Sequence, residues 1–283
     1  MARPALAVLL TAALSALLSC ATVPRAGYPA VPALEVEWTP LAGGIDSSAF
    51  RIAEPRLRLH ALRVDLAAEG VSVVVTPSSG KESTVMSRKT TTFLAEFGCA
   101  VAVNANPFDP ASEREGQELR VVGLAVSDGA TVAPPDSRYA ALVFGREGRA
   151  SVVAQAEVRG DADIRNAVGG FFIVLKDGLP TGDGQRRHPR TAAGTDATGR
   201  FLYLMAVDGR SPGSAGTTEL ETGELLARLG AVDGLILDGG GSSAMALRTG
   251  DGRARLANVP VDGGIPGRER AVANHLGIRA PPL

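Results

Sequence analysis

Two Asp-Gly steps in this chain follow apolar runs. Asp208-Gly209-Arg210 closes residues 201–207, and Asp238-Gly239-Gly240 closes residues 235–237. Two carboxylates at the ends of neighbouring strands would face one crevice, the place where open α/β sheets usually bind ligands. The glycine after each aspartate lets a substrate come close to the backbone. The ordinary use of Asp-Gly is to start a turn by bonding backbone N–H groups. Two such steps flanking one helical segment favour a site over two separate turns.

The second step continues as Gly239-Gly240-Gly241-Ser242-Ser243. Three residues free to take positive φ can turn successive N–H groups into a concave nest for an anion such as phosphate. No lysine follows the glycines and residues 244–247 read as a strand, so this is not a nucleotide P-loop. Upstream, Arg186-Arg187-His188-Pro189-Arg190-Thr191 packs three guanidinium groups and an imidazole into six residues. Arginine forks match phosphate oxygens, and His188 can exchange a proton near neutral pH; a solvated basic loop is the plain alternative. Asn104, Asn106 and Asp109 follow an apolar run ending at Val103, where amide side chains can bond sugar hydroxyls, orient a carboxylate or simply build a loop.

These groups need elements to hold them. Residues 201–207, the helix 218–229 and residues 235–237 read as strand, helix and strand. If the strands run parallel, Asp208 and Asp238 emerge on the same sheet edge. The helix carries the capping-box pattern Thr218-x-x-Glu221 and stops at Gly230. Further strands are expected over 56–66, 71–75, 99–103, 121–126, 140–144, 150–153 and 171–175, with short helices over 90–97 and 268–276. The expected fold is α+β: a β-rich single domain, residues 34–283, with a mixed sheet and a few flanking helices.

The first nineteen residues have the layout of an export signal: one cation, Arg3, an apolar run over 5–18, then Ser19, Cys20 and Ala21. The run is shorter than the roughly 20 residues a membrane-spanning helix needs. Residues 20–33, rich in Pro and Ala, read as a linker. Net charge is −1, so neither a nucleic-acid surface nor a polybasic membrane patch is expected. With Cys20 lipidated or cleaved away, Cys99 has no disulfide partner and is expected to pack as a small buried hydrophobe. His60 and His275 read as structural. Three histidines and one available cysteine make a histidine-rich two-metal centre unexpected, and no cofactor is called for.

Leu17-Leu18-Ser19-Cys20 resembles the lipobox of bacterial lipoproteins, which implies lipidation at Cys20; cleavage after Ala21 is the alternative. Ala21 after the cysteine resembles the pattern sent to the outer membrane, implying an envelope address with membrane contact through the lipid alone. Across the domain, residues 101–109, 122–129, 167–178, 188–194, 207–210, 217–243 and 272–277 resemble the phosphodiester glycosidase family in order and spacing. His188-Pro189-Arg190-Thr191 and Leu237-Asp238-Gly239-Gly240-Gly241-Ser242-Ser243 are the most specific matches. Asn104-Ala105-Asn106-Pro107-Phe108 departs from the family's Asn-Ala-Gly-Phe-Phe type of segment, which bears on the sugar side.

The resemblance implies hydrolysis of the anomeric C–O bond of a glycosyl-1-phosphodiester, resembling N-acetylglucosamine-1-phosphodiesters. Asp208, Asp238 and His188 would then be catalytic. Asn104, Asn106, Asp109, Arg190, Thr191, Arg210 and residues 239–243 would hold the sugar phosphate. The rival readings are a non-catalytic glycan-binding envelope lipoprotein and a phosphodiesterase that breaks a P–O bond.

Overall fold

The computed structural model describes residues 31–283 except 33, 112–113 and 160–162. The signal segment, Cys20 and most of the expected linker lie outside the described residues. The fold begins inside that linker's last residues. Val31 is buried, its N–H donates to Glu224 Oε2 at 3.2 Å, and its carbonyl accepts from the Arg228 guanidinium.

The wholly apolar segment Phe201–Val207 forms a strand near the middle of an eight-stranded sheet covered on both faces, which is why it has no polar alternation. The order is Thr39–Ala42, Ile45–Ile52, Leu57–Asp65, Phe201–Val207, Arg190–Thr195, Asp233–Ile236, Ile173–Lys176 and Leu179–Pro180. On one face, Leu57, Leu59, Tyr203, Met205, Val207 and Ile236 pack with Leu225, Leu226 and Leu229 of the helix Glu219–Leu229. On the other, Leu62, Val64, Leu202, Leu204, Leu235 and Leu237 meet the inner faces of two five-stranded sheets. One contains Val101–Asn104, Met245–Arg248 and His275–Arg279; the other contains Ala140–Gly145 and Ile164–Gly170. Burial at ~25 cal/mol per Å² of apolar surface makes this interlayer the main stabilising element.

Among the described residues there are twenty-one strands against two α-helices, so the β-rich expectation holds. The mixed sheet does not, since every ladder between these strands is antiparallel. Phe201–Val207 and Asp233–Ile236 do run parallel to each other. They are not neighbours, because Arg190–Thr195 inserts between them and pairs antiparallel with both.

The helix Glu219–Leu229 has both halves of its capping box: Glu221 N–H donates to Thr218 Oγ1 at 3.2 Å, and Thr218 N–H donates to Glu221 Oε2 at 2.9 Å. Gly230 ends it at φ +111°. The expected helix over 268–276 is instead extended chain entering the strand His275–Arg279. The expected strand over 121–126 is split into Glu118–Val121 and Ala125–Ser127 by Gly123 at φ +76°. Cys99 is buried against Phe93 and Gly277, and burial raises its thiol to about 11.

Candidate active site

Three segments converge at one edge of the large sheet. The antiparallel insertion of Arg190–Thr195 sets its start beside the ends of both flanking strands: Arg190 pairs with Val207, and Leu237 N–H donates to the Thr191 carbonyl at 2.9 Å. Asp208 and Asp238 therefore flank Pro189 and Arg190, two strand spacings or about 10 Å apart along the sheet edge.

Asp238 has its backbone fixed on both sides. Its N–H donates to the Ala105 carbonyl at 2.7 Å, and its carbonyl accepts from Asn104 Nδ2 at 2.6 Å. The carboxylate Oδ1 accepts Gly239 N–H at 3.0 Å. Burial dominates its ionisation and pushes its pKa up to about 6; the Ser242 hydroxyl, Gly239 N–H and the Arg270 charge oppose that rise. A carboxyl poised near neutrality can serve as base or acid close to physiological pH.

The glycine run after it is a floor under arginines. A Cβ on Gly239 would meet the Pro189 carbonyl at 3.1 Å and Arg190 Cδ at 3.9 Å. One on Gly240 would stand 3.1 Å from Arg210 Nη2, and one on Gly241 only 2.6 Å from Arg270 Nη2. Gly240 N–H donates to the Pro189 carbonyl at 2.9 Å, tying this turn to the His-Pro-Arg segment. His188 is half-buried, with Nδ1 3.3 Å from Arg210 Nη2. Burial, then Arg190, Arg210 and Arg186, lower its pKa, so the ring is neutral at pH 7. Arg190 Nε donates to the Thr217 carbonyl at 3.3 Å. Arg210 sits at φ +54°, a conformation uncommon outside glycine and a sign of local constraint.

His188, Arg190, Arg210, Asp238 and residues 239–242 thus come together as expected. Others do not. The Asp208 carboxylate is 3% exposed, accepting Val259 N–H at 2.8 Å on Oδ1 and lying 3.6 Å from Arg58 Nε through Oδ2. It sits between the layers beside the edge, with burial raising its pKa, whereas Asp238 is only half-buried.

Thr191 and Asn104 are buried behind Asp238. Asn104 Oδ1 accepts from Thr191 Oγ1 at 2.6 Å and from Ala244 N–H at 3.0 Å. Asn106 is also fully buried: its Nδ2 donates to the carbonyls of Val122, Gly123 and Leu124, and its Oδ1 accepts from Gly169 N–H and Asn274 Nδ2. Asn106 is spent on joining loops and does not face a sugar, whereas Asn104 takes the other course open to such an amide and holds the carboxylate residue Asp238 in place. Asp109 is exposed in the short strand Phe108–Asp109 of a separate three-stranded sheet. Ser243 is buried, and its Oγ has no hydrogen-bond partner.

A second wall was not foreseen. Arg270 Nη1 donates to Ser242 Oγ at 3.3 Å, and its Nε donates to Asp262 Oδ1 at 2.6 Å. Arg268 Nε donates to the other oxygen of Asp262 at 3.2 Å. Arg268 and Arg270 are two residues apart and point the same way only in extended chain; reading 268–276 as helix hid that signal. Among the described residues no group of three or more His, Cys, Asp or Glu side chains is arranged to hold a metal ion.

The family model for phosphodiester glycosidase matches residues 97–279, a span that contains every segment described at this edge except Arg58. A prophage-derived uncharacterized protein of Bacillus subtilis, YomE, is 32% identical over 198 residues; the match covers 64% of this chain and 28% of that one. The chain therefore spans little more than a quarter of that relative. A hypothetical protein from Synechocystis superposes with TM-score 0.62 at 14% identity, covering 83% of this chain and 62% of that one. The catalytic domain of zebrafish N-acetylglucosamine-1-phosphodiester alpha-N-acetylglucosaminidase, auto-inhibited by its pro-peptide, superposes with TM-score 0.59 at 22% identity, covering 85% and 84%. These likenesses carry the fold, and the family match over most of the chain carries membership: the chain belongs to the phosphodiester glycosidase family.

Proposed function

We propose that this protein is an exported glycosidase that hydrolyses the anomeric C–O bond of a glycosyl-1-phosphodiester, with the half-buried Asp238 as its working carboxylate. The carrying observation is the juxtaposition of that carboxyl, its pKa near 6, with arginines laid over the adjoining glycine floor. Guanidinium groups of Arg190 and Arg210 hold the phosphate oxygens, a geometry that arginine forks match. The bond from C1 to the bridging oxygen breaks, and its electron pair leaves with the phosphate. Water adds at C1 and its proton passes to Asp238, with neutral His188 able to take it onward. A phosphomonoester is a good leaving group, so the scheme needs no strong general acid.

The signal-like residues 1–19 and Cys20 support an address in the cell envelope, lipid-anchored, with envelope or incoming glycans as substrates. The interior position of Asp208 favours a second reading, in which the edge binds a glycan phosphate without turnover. Release of reducing sugar from a panel of glycosyl-1-phosphodiesters separates the two: turnover by the wild type that is lost in Asp238→Asn supports the glycosidase, and saturable binding without sugar release rejects it.

A further inference from the structure

We propose that Arg270, aimed by the buried Asp262, is a third anion-binding guanidinium of this site, lying over Gly241 as Arg210 lies over Gly240. The inference rests on reading the glycine turn as the phosphate site. Three observations carry it. Gly241 is left without a side chain at a point where a Cβ would stand 2.6 Å from Arg270 Nη2, as Gly240 makes room for Arg210. The same guanidinium donates to Ser242 Oγ at 3.3 Å, so it is bound to the turn itself rather than merely nearby. And Asp262, only 3% exposed, holds Arg270 Nε at 2.6 Å and Arg268 Nε at 3.2 Å.

A carboxylate that grips the Nε edge of a guanidinium fixes the plane of its fork. With Nε held by Asp262 and Nη1 by Ser242, the Nη2 side over Gly241 is the part turned along the floor on which Arg190 and Arg210 also lie. A phosphodiester placed there is clamped from two sides, and its charge is met by guanidinium groups from three separate chain segments. Asp262 touches no substrate; it is a positioning residue that acts through Arg270. Arg270 also opposes the burial-driven rise of the Asp238 pKa, so it couples anion binding to the state of the carboxyl.

The test uses the full chain, inorganic phosphate as the probe, and calorimetric binding alongside a carbon-NMR titration of the Asp238 carboxyl, none of which needs turnover. Arg270→Gln is expected to weaken phosphate binding roughly 10-fold, the size of one lost charge-assisted hydrogen bond, and to raise the Asp238 midpoint. Asp262→Asn is expected to weaken phosphate in the wild type but to add little on the Arg270→Gln background, because the two act as one unit. Arg146→Gln, which removes an exposed guanidinium paired with Asp163, is expected to change neither reading. Wild-type phosphate affinity and an unmoved Asp238 midpoint in Arg270→Gln would overturn the proposal, as would a full additional loss from Asp262→Asn in that background. Absence of sugar release with these binding effects intact would reject the glycosidase reading and leave the anion site standing.

Discussion

Arg210 Nη2 lies 3.1 Å from where a Cβ on Gly240 would begin. The glycine is needed for its φ of +63°, and a side chain there would in addition press on the tip of Arg210. Gly240→Ala is expected to cost about 1–2 kcal/mol in stability from the left-handed backbone alone. It is also expected to displace Arg210 and lower kcat/KM on a glycosyl phosphodiester by roughly 10-fold, the scale of one lost anion contact. Gly209→Ala, whose Cβ would meet Pro189 N at 2.7 Å, gives a second perturbation from the other side of the same junction. Steady-state kinetics beside thermal melts separates the two effects of the Gly240 substitution.

At Asp238 function and stability pull in opposite directions. Its carboxyl titrates near 6 in the folded protein because it is buried, against 3.8 ordinarily. A raised carboxyl pKa contributes stability below the unfolded value that is lost as pH climbs through the folded one. Above pH 6 the folded protein therefore carries a desolvated charge at a cost, and Asp238→Asn is expected to raise the unfolding free energy at pH 7 by on the order of 1–2 kcal/mol, read as a higher melting temperature. The same change is expected to lower kcat by about 10²-fold or more. Wild-type kcat/KM should fall as pH drops below about 6, where the base of the free enzyme becomes protonated.

Asn104 acts on Asp238 without reaching the surface. Its amide joins the Asp238 carbonyl, the Thr191 hydroxyl and Ala244 N–H. Asn104→Ala leaves all three buried without their partner, with an expected loss of about 2–4 kcal/mol. Thr191→Val removes one of these bonds and is expected to lose about 1 kcal/mol. Chemical denaturation gives both values. For Thr191→Val, kcat is expected to fall more than KM rises, since the change loosens the carboxyl's support and not the phosphate wall.

His275 makes the fold acid-sensitive from the strand beside Asn104, one layer behind the Asp238 turn. Its ring is stacked on Phe93 and fully buried, with Nε2 unpartnered, and burial pushes its pKa down to about 3. The unfolded chain protonates this ring near 6.5, so the stability it confers is present above that pH and is lost as pH falls toward 3. His275→Leu keeps the apolar packing and removes the titration. Melting temperatures between pH 7 and 4 are expected to decline less steeply in this variant.

Local chemistry was legible where the signal was local. The capping box at Thr218 and Glu221, the stop at Gly230, and the apolar runs ahead of Asp208 and Asp238 needed only neighbours in the chain. The direction of the Asp208 carboxylate was not legible, because it depends on Val259 and Arg58, distant in sequence. Nor was the insertion of Arg190–Thr195 between the two parallel strands, since pairing between distant segments leaves no periodicity to read. Asn106 looked available for a sugar for the same reason: its five hydrogen-bond contacts come from residues 122–124, 169 and 274.

The most direct test of the proposed chemistry is hydrolysis of a glycosyl-1-phosphodiester in ¹⁸O-labelled water, followed by mass analysis of both products. Cleavage at the anomeric carbon beside Asp238 predicts the label in the released sugar and none in the phosphomonoester. Label in the phosphate instead would mean that a P–O bond breaks, and would contradict the assignment.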